Sequence, residues 1–312
     1  MFIENAYKGK TDFWRYIVGI VCVIFGVIVG QLPWTLAILV KEGFSIAGKD
    51  ETYMMQVLDK NLNLFLLLLS FAVGLGALFL VIRLIHQQKI KDVTTVRKKI
   101  DWKRFFFAFS LIGAFSIITT GIDFYFSPED YVLNFRLAPF LVLCLIAIVM
   151  IPLQTSFEEY LFRGYLMQGL GVLAKNRWFP LITTSIIFGG LHFFNPEVGK
   201  LGNSIMFYYI GTGFLLGIMT LMDDGMELAL GFHAGNNLIG ALLVTADWTA
   251  FQTNSVLIDI SDPTAGLDIM LPTFIFYTIF LFILAKKYHW KNWGEKLFGR
   301  IEKPEEETLP NI

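Results

Sequence analysis

The sequence predicts an all-α polytopic membrane protein with about eight transmembrane helices and a polar site buried among them. Of its 312 residues, 55% are hydrophobic and only 16% are charged, and the mean hydropathy is +0.60. Soluble domains carry about 25% charged residues, so this composition suits a surface that faces lipid. Long apolar stretches, and a few ionisable residues inside them, support the same prediction. The net charge of −1 and the lack of a basic, aromatic-rich patch predict no nucleic-acid partner.

A helix needs roughly 20 residues to cross a hydrocarbon core of about 30 Å. Apolar stretches that meet or approach this length lie at approximately 14–40, 62–85, 105–126, 137–173, 178–194, 203–222, 226–246 and 270–287. The first is too long for a signal peptide and has no small-residue cleavage site, so we expect it to remain as an anchor. No internal repeat or soluble segment separates the stretches, which predicts one membrane domain over residues 1–289.

The distribution of Lys and Arg predicts the orientation of the chain. If the N-terminus lies in the cytoplasm, 19 of the 25 basic residues fall on the cytoplasmic side and five on the opposite side. The remaining one, Arg163, lies inside the fourth stretch. Because cytoplasmic loops carry the excess of Lys and Arg, we expect an integral protein of the cell membrane with both termini in the cytoplasm.

The C-terminal residues 290–312 are predicted to lie outside the bilayer. Trp290, Trp293, Leu297 and Ile301 recur at steps of three or four, so they share one face of a helix. We expect this amphipathic helix to lie on the cytoplasmic surface of the membrane. A disordered acidic tail is expected to follow it.

Three ionisable residues stand in the sequence FEEYLFR of the fourth stretch. Such residues are costly in a transmembrane helix and mark a site or a cavity. Glu159 and Arg163 are four residues apart, so we expect a buried ion pair that braces this helix. Glu158 is rotated about 100° from that pair and needs a partner from another helix.

His192 is the partner that we expect for Glu158. A tight turn around Lys175–Asn176 joins the fourth and fifth stretches, which therefore form an antiparallel hairpin. Glu158 lies 17 residues before Lys175, and His192 lies 15 residues after Arg177, so their depths should match. A hydrogen-bonded packing role for this histidine is the alternative.

His233 and Asn237 in the seventh stretch are four residues apart and share one helix face. A histidine and a carboxamide side by side can donate hydrogen bonds to a developing oxyanion. The same two residues could serve as interhelical packing hydrogen bonds. Since the bundle also holds Glu158 and His192, we interpret the four residues as one site.

Three motifs formed by these residues resemble those of the CPBP family, also called the ABI family. It contains the CAAX proteases, the bacteriocin-processing enzymes and the type II CAAX prenyl endopeptidases. EEYLFR at 158–163 is similar to the family's EExxxR motif, and FGGLH at 188–192 is similar to FxxxH. HAGNN at 233–237 is similar to HxxxN/D. One motif alone is weak, but all three occur in chain order within about residues 155–240.

The resemblance implies an intramembrane endopeptidase whose protease core spans about 137–246. The implied catalytic residues are Glu158, His192, His233 and Asn237. The implied supporting residues are Glu159, Arg163 and Phe188. By this analogy the first glutamate activates a water molecule with help from the first histidine, and the other two catalytic residues hold the oxyanion. The implied partners are a peptide or protein substrate in or at the membrane and the lipid bilayer itself.

No cofactor is favoured, and a zinc-dependent version of the same protease is the alternative. Glu158, His192 and His233 would form a site with two histidines, one carboxylate and an open position for water. The HExxH sequence of the usual zinc protease helix is absent. We favour the metal-free mechanism in which a glutamate activates water.

Two other classes of protein also bury charged residues in a helix bundle. A transporter or channel would use them along an ion path, but the inverted repeat of many transporters is absent. A non-catalytic membrane scaffold or immunity protein would use them for packing alone. Cleavage products that disappear in the Glu158→Gln variant would distinguish the protease from both.

Helix lengths predict the depth of the site. Glu158 lies about 25 Å and His192 about 22 Å from their shared turn, whereas His233 lies about 13 Å from the turn at Asp224. For the three to meet, the hairpin must project about 10 Å beyond the turn at Asp224, or one of its helices must be broken. We expect residues 168–180 to form the wall of a mouth open to the cytoplasm.

Overall fold

Helices make up most of the structure, a computed structural model that describes residues 1–46, 48–49, 51–262 and 267–303. The α-helices are α1 (Phe13–Glu42), α2 (Glu51–Val57), α3 (Lys60–Leu80), α4 (Ile90–Thr94), α5 (Trp102–Phe126), α6 (Leu137–Glu159), α7 (Met167–Ala174), α8 (Trp178–Leu191), α9 (Pro196–Leu201), α10 (Met206–Asp223), α11 (Glu227–Leu243), α12 (Leu267–Tyr288) and α13 (Trp293–Phe298). Two π-helical segments, Val81–Ile85 and Tyr160–Leu166, follow α3 and join α6 to α7. The 3-10 helices are Ile3–Lys8, Gly43–Ile46, Pro128–Asp130, His192–Phe194 and Asn203–Ile205.

The predicted all-α polytopic class is confirmed, but the count of eight transmembrane helices is not. Within the described part of the chain, the helical segments long and apolar enough to cross a membrane are Phe13–Ile46, Lys60–Ile85, Trp102–Phe126, Leu137–Ala174, Asn203–Asp223 and Leu271–Tyr288. The fifth and seventh predicted stretches form α8 and α11, of 14 and 17 residues. Both fall short of the roughly 20 residues that a span requires.

Helix α11, which carries His233 and Asn237, lies against α5 at very short range. A Cβ atom on Gly231 would lie 2.1 Å from the carbonyl oxygen of Phe105, and one on Gly235 would lie 2.7 Å from that of Phe109. Only glycine therefore allows the two backbones to approach this closely. Most side chains of α11 are buried, so its polar residues face the interior of the bundle.

A three-stranded sheet covers one end of α11. It consists of β1 (Tyr131–Leu133), β2 (Val244–Thr245) and β3 (Leu257–Asp259), with β3 in the centre, antiparallel to β1 and parallel to β2. The segment between β2 and β3 folds back onto α11. Thr253 donates its hydroxyl hydrogen to the carbonyl of Ala241 (2.7 Å), and the amide of Val256 donates to Leu242 (3.0 Å). These bonds satisfy carbonyls that the helix end leaves free, so they hold α11 at a fixed depth.

The other end of the bundle carries the N-terminus and the turns at 86–101, 175–177 and 224–226, and we call it the basic end. Here the amide of Phe2 donates to Asp224 Oδ1 (3.1 Å), and its carbonyl accepts from Gln168 Nε2 (3.3 Å). Because Phe2 contacts both residues, Gln168 lies near the level of the turn at Asp224. The turn at Lys175 lies seven residues further along, about 10 Å beyond that level. The projection of the hairpin that the helix lengths predict stays a prediction.

The N-terminal segment fills the place where we expected a mouth beside residues 168–180. Phe2 and Ile3 are fully buried, and so is Gly171 in α7. A Cβ atom on Gly171 would lie 2.6 Å from Ile3 Cγ2 and 3.0 Å from Ile301 Cδ1. The expected opening is therefore wrong at this position, because apolar residues from both chain ends pack against α7 there.

The C-terminal helix is shorter than the sequence predicts. It covers only Trp293–Phe298, and Leu297 and Ile301 pack into the same core cluster as Phe2. The amide of Ile301 also donates to the carbonyl of Lys175 (3.0 Å). Much of the apolar face that we expected to contact lipid thus packs against the protein. Residues 304–312 of the predicted acidic tail lie outside the described residues.

Candidate active site

The EEYLFR motif lies where α6 changes into the π-helical segment Tyr160–Leu166. Glu158 and Glu159 end the α-helix, and Arg163 lies in the π-helical turn. A π-helical turn pairs residues five apart and is frequent at functional sites. The extra residue per turn widens the helix here, so α-helical geometry alone does not give the directions of the side chains around the motif.

The expected ion pair between Glu159 and Arg163 is present. Arg163 Nη1 donates to Glu159 Oε1 (2.8 Å), and both side chains are 0% exposed. Arg163 Nη2 donates to the carbonyl of Gly213 in α10 (3.1 Å), and the guanidinium lies over the ring of Phe188 in α8 at 4.3 Å. A single arginine therefore joins α6, α8 and α10 around the site.

His233 contacts both glutamates of the motif. Its Nδ1 lies 2.8 Å from Glu159 Oε1, and its Nε2 lies 3.4 Å from Glu158 Oε2. Since a carboxylate oxygen only accepts hydrogen bonds, Nδ1 carries the hydrogen in the bond to Glu159. Nε2 is then the ring atom that faces Glu158. The partner of Glu158 thus comes from another helix, as predicted, but it is His233 and not the predicted His192.

His192 lies beside this group without an ion pair to Glu158. It begins the 3-10 turn after α8, its Nδ1 lies 2.7 Å from the carbonyl oxygen of Phe188, and its ring stacks on Tyr209 at 4.3 Å. The ring of Phe188 lies 4.9 Å from that of His192 and 6.0 Å from that of His233. The two histidines thus share an aromatic neighbour in place of a common hydrogen bond.

The depths of His192 and the glutamates agree with the hairpin prediction. Phe188 packs against Phe162, with ring centroids 5.5 Å apart, and against Arg163. His192 follows Phe188 by one helical turn, and Glu158 precedes Phe162 by the same number of residues. Because the two helices run antiparallel, these single turns lead to a similar depth.

Asn237 reaches Glu158 through a residue that the sequence analysis missed. Asn237 Nδ2 donates to Gln154 Oε1 (3.2 Å), and Gln154 Nε2 donates to Glu158 Oε1 (2.7 Å). The sequence does contain a pattern that predicts this contact. Gln154 and Glu158 are four residues apart, and polar pairs at this spacing meet on a helix. Asn236, next to the motif residue, donates from its Nδ2 to Asn237 Oδ1 (3.1 Å). No local pattern indicated that Tyr209 would stack on His192.

The predicted alternative, a zinc site formed by Glu158, His192 and His233, does not fit this arrangement. Zinc ligands must converge on one point at about 2.0–2.2 Å. Across residues 1–46, 48–49, 51–262 and 267–303, no group of three His, Cys, Asp or Glu side chains could hold a metal ion. The zinc-dependent alternative is not supported.

Comparison with known proteins finds a similarity to a protease family in the region that holds this site. The family model described as type II CAAX prenyl endopeptidase Rce1-like matches residues 136–239, which include all three motifs. A protein of Bacillus subtilis (strain 168), described as the uncharacterized protein YyaK, is 28% identical over 242 residues. That match covers 76% of this chain and 80% of the relative. No solved structure matches the chain.

The resemblance that the three motifs indicated is confirmed by this match. The matched region begins just before α6 and ends within α11, so it contains every helix that contributes a side chain to the network around Glu158. Residues 136–239 of this polytopic membrane protein are thus similar to the Rce1-like type II CAAX prenyl endopeptidases.

Proposed function

We propose that this protein is an intramembrane endopeptidase that hydrolyses a peptide bond of a membrane-associated or lipid-linked substrate. The observation that carries the proposal is the contact network in which Glu158 meets His233 directly and Asn237 through Gln154. A carboxylate, an imidazole and a carboxamide at one point are the groups that water-activated cleavage of an amide requires. The family match supports a protease of the CAAX type.

Glu158 is the proposed general base. Its side chain is 12% exposed, unlike the fully buried Glu159, so water can reach it. Gln154 donates to its Oε1, and Oε2, which lies 3.4 Å from His233 Nε2, is the oxygen proposed to take the proton. As the water oxygen bonds to the scissile carbonyl carbon, its proton passes to Glu158 and the carbonyl electrons move to the oxygen. Collapse of this intermediate breaks the C–N bond, and Glu158 returns the proton to the leaving amine.

His233 and Asn237 are the proposed donors to the oxyanion. Glu159 accepts from His233 Nδ1 and is itself held by Arg163, so the imidazole is oriented with Nε2 towards the reaction centre. Nε2–H in the protonated ring and an Nδ2–H of Asn237 can then both donate to the oxygen that gains charge. His192, at a similar depth beside Phe188, is proposed to orient the attacking water.

The test of this function is cleavage by the purified chain in liposomes. Peptides tethered by a lipid chain are offered in water enriched in ¹⁸O, and the products are read by mass spectrometry. We expect two fragments, with one heavy oxygen in the new carboxyl terminus, because the mechanism adds water to the carbonyl carbon. Liposomes without the protein are the control. Intact peptides throughout a tethered library would contradict the proposal.

The orientation of the protein is part of the proposal, because it decides which side of the membrane each end of the bundle faces. The excess of Lys and Arg at the basic end supports a cytoplasmic location for that end and for both termini. In a chain without Cys22 and Cys144, Lys98→Cys and Glu129→Cys place one exposed thiol at each end. An impermeant maleimide added to intact cells should label only the Glu129→Cys chain. Labelling of the Lys98→Cys chain alone would reverse the orientation.

A further inference from the structure

Gln154 connects the proposed base to a proposed oxyanion donor. Its side chain is buried, with 3% exposure, in the middle of the network. Nε2 donates to Glu158 Oε1 (2.7 Å), and Oε1 accepts from Asn237 Nδ2 (3.2 Å). The carboxamide of Gln154 thus bonds to Glu158 through its nitrogen and to Asn237 through its oxygen.

The chemistry of these contacts allows only one orientation of each amide. As a general base, Glu158 is a carboxylate, and a carboxylate can only accept hydrogen bonds. The NH₂ end of Gln154 must therefore face Glu158, which turns its oxygen to Asn237. Asn237 then has to present its own NH₂ end to Gln154. The charge on Glu158 thereby decides which end of the Asn237 amide faces the reaction centre.

A second contact holds Asn237 in the same orientation from the other side. Asn237 Oδ1 accepts from Asn236 Nδ2 (3.1 Å). The amide of Asn237 is therefore fixed at both ends. Its nitrogen gives one hydrogen to Gln154 and keeps a second one.

We propose that Gln154 is a positioning residue that couples the carboxylate of Glu158 to the orientation of Asn237. It directs the Asn237 nitrogen to the reaction centre and leaves the second N–H for the oxyanion. Gln154 itself touches neither the water nor the scissile bond. This inference rests on the proposed function and adds to it a residue outside the three family motifs.

Gln154→Met tests the inference, because methionine has a similar length but forms neither hydrogen bond. In the liposome assay we expect kcat to fall by about tenfold to a hundredfold, since Asn237 is no longer held in its productive orientation. KM should stay within about twofold, because the contact matters in the transition state. Gln154→Glu should lose more, since it places a second acceptor against Glu158.

Thr155→Val is the matched control on the same helix. Thr155 is fully buried, but its hydroxyl donates only to the carbonyls of Ile151 and Pro152 in its own helix. Its removal should leave kcat and the apparent midpoint of thermal unfolding close to those of the wild-type chain.

A double-mutant cycle separates positioning from a general structural role. If Gln154 acts through Asn237, then Asn237→Ala costs much less in the Gln154→Met chain than in the wild-type chain. Additive losses, or a wild-type kcat for Gln154→Met, would overturn the inference while leaving the proposed function standing. A wild-type chain that cleaves no tethered peptide overturns both, because Gln154 then has no reaction to serve.

Discussion

Glu158→Gln is expected to lower the rate of peptide cleavage by at least about a hundredfold, the contribution that a general base commonly makes. Glutamine keeps the size of the side chain and an oxygen that can accept from Gln154, so the packing of α6 should persist. It cannot take a proton from water, and no second carboxylate replaces it, because Glu159 is committed to Arg163 and His233. The loss should therefore appear in kcat.

The measurement is the initial rate of product formation in liposomes, with the midpoint of thermal unfolding recorded for the same preparation. Glu158→Asp is the matched variant, because it keeps a carboxylate and withdraws it by one methylene. We expect an activity between those of wild type and Glu158→Gln. Equal rates for Glu158→Gln and wild type would end the glutamate mechanism and leave a non-catalytic scaffold as the better interpretation.

Arg163→Met is expected to destabilise the protein by about 3–5 kcal/mol, the usual result of removing one partner from a buried ion pair. It leaves the fully buried Glu159 without its arginine partner, and the carbonyl of Gly213 without its donor. The free energy of unfolding, measured by denaturant titration in detergent micelles, should fall accordingly. Activity should fall as well, because Glu159 then orients His233 without support from Arg163.

Two controls make this prediction sharp. Asp262→Asn removes an ion pair to Lys200 that is largely exposed, and it should leave stability unchanged. Adding Glu159→Leu to Arg163→Met removes both buried charges, so we expect stability to recover in part while activity stays low. Unchanged stability in Arg163→Met alone would show that the pair does not brace α6.

The elements that sequence reasoning predicted well depend on local patterns. Each apolar stretch became helical because its length and lack of charge suit lipid, and boundaries such as 105–126 for α5 were close to those observed. The pair of Glu159 and Arg163 followed from a spacing of four residues within one helix. Gln154 obeyed the same rule with Glu158, so its contact was predictable but overlooked.

Local sequence patterns did not predict how the N-terminal and C-terminal segments pack against the bundle. Phe2 and Ile3 are too few to register as an apolar stretch, yet they close the basic end against α7. Leu297 and Ile301 share a helix face, as predicted, but the protein supplies the surface that they contact. A short amphipathic segment has the same pattern whether lipid or protein covers it.

Hydropathy and short-range spacing act within single helices, so they were enough to predict a helical membrane protein with three polar motifs. The approach of His233, and not His192, to within 3.4 Å of Glu158 depends on how the helices pack against one another. Each residue turns a helix by about 100°, so the direction of a side chain between helices depends on how each helix is rotated about its axis. The π-helical turn at 160–166 and the close packing of Gly231 on α5 set those rotations, and both are properties of helices packed together.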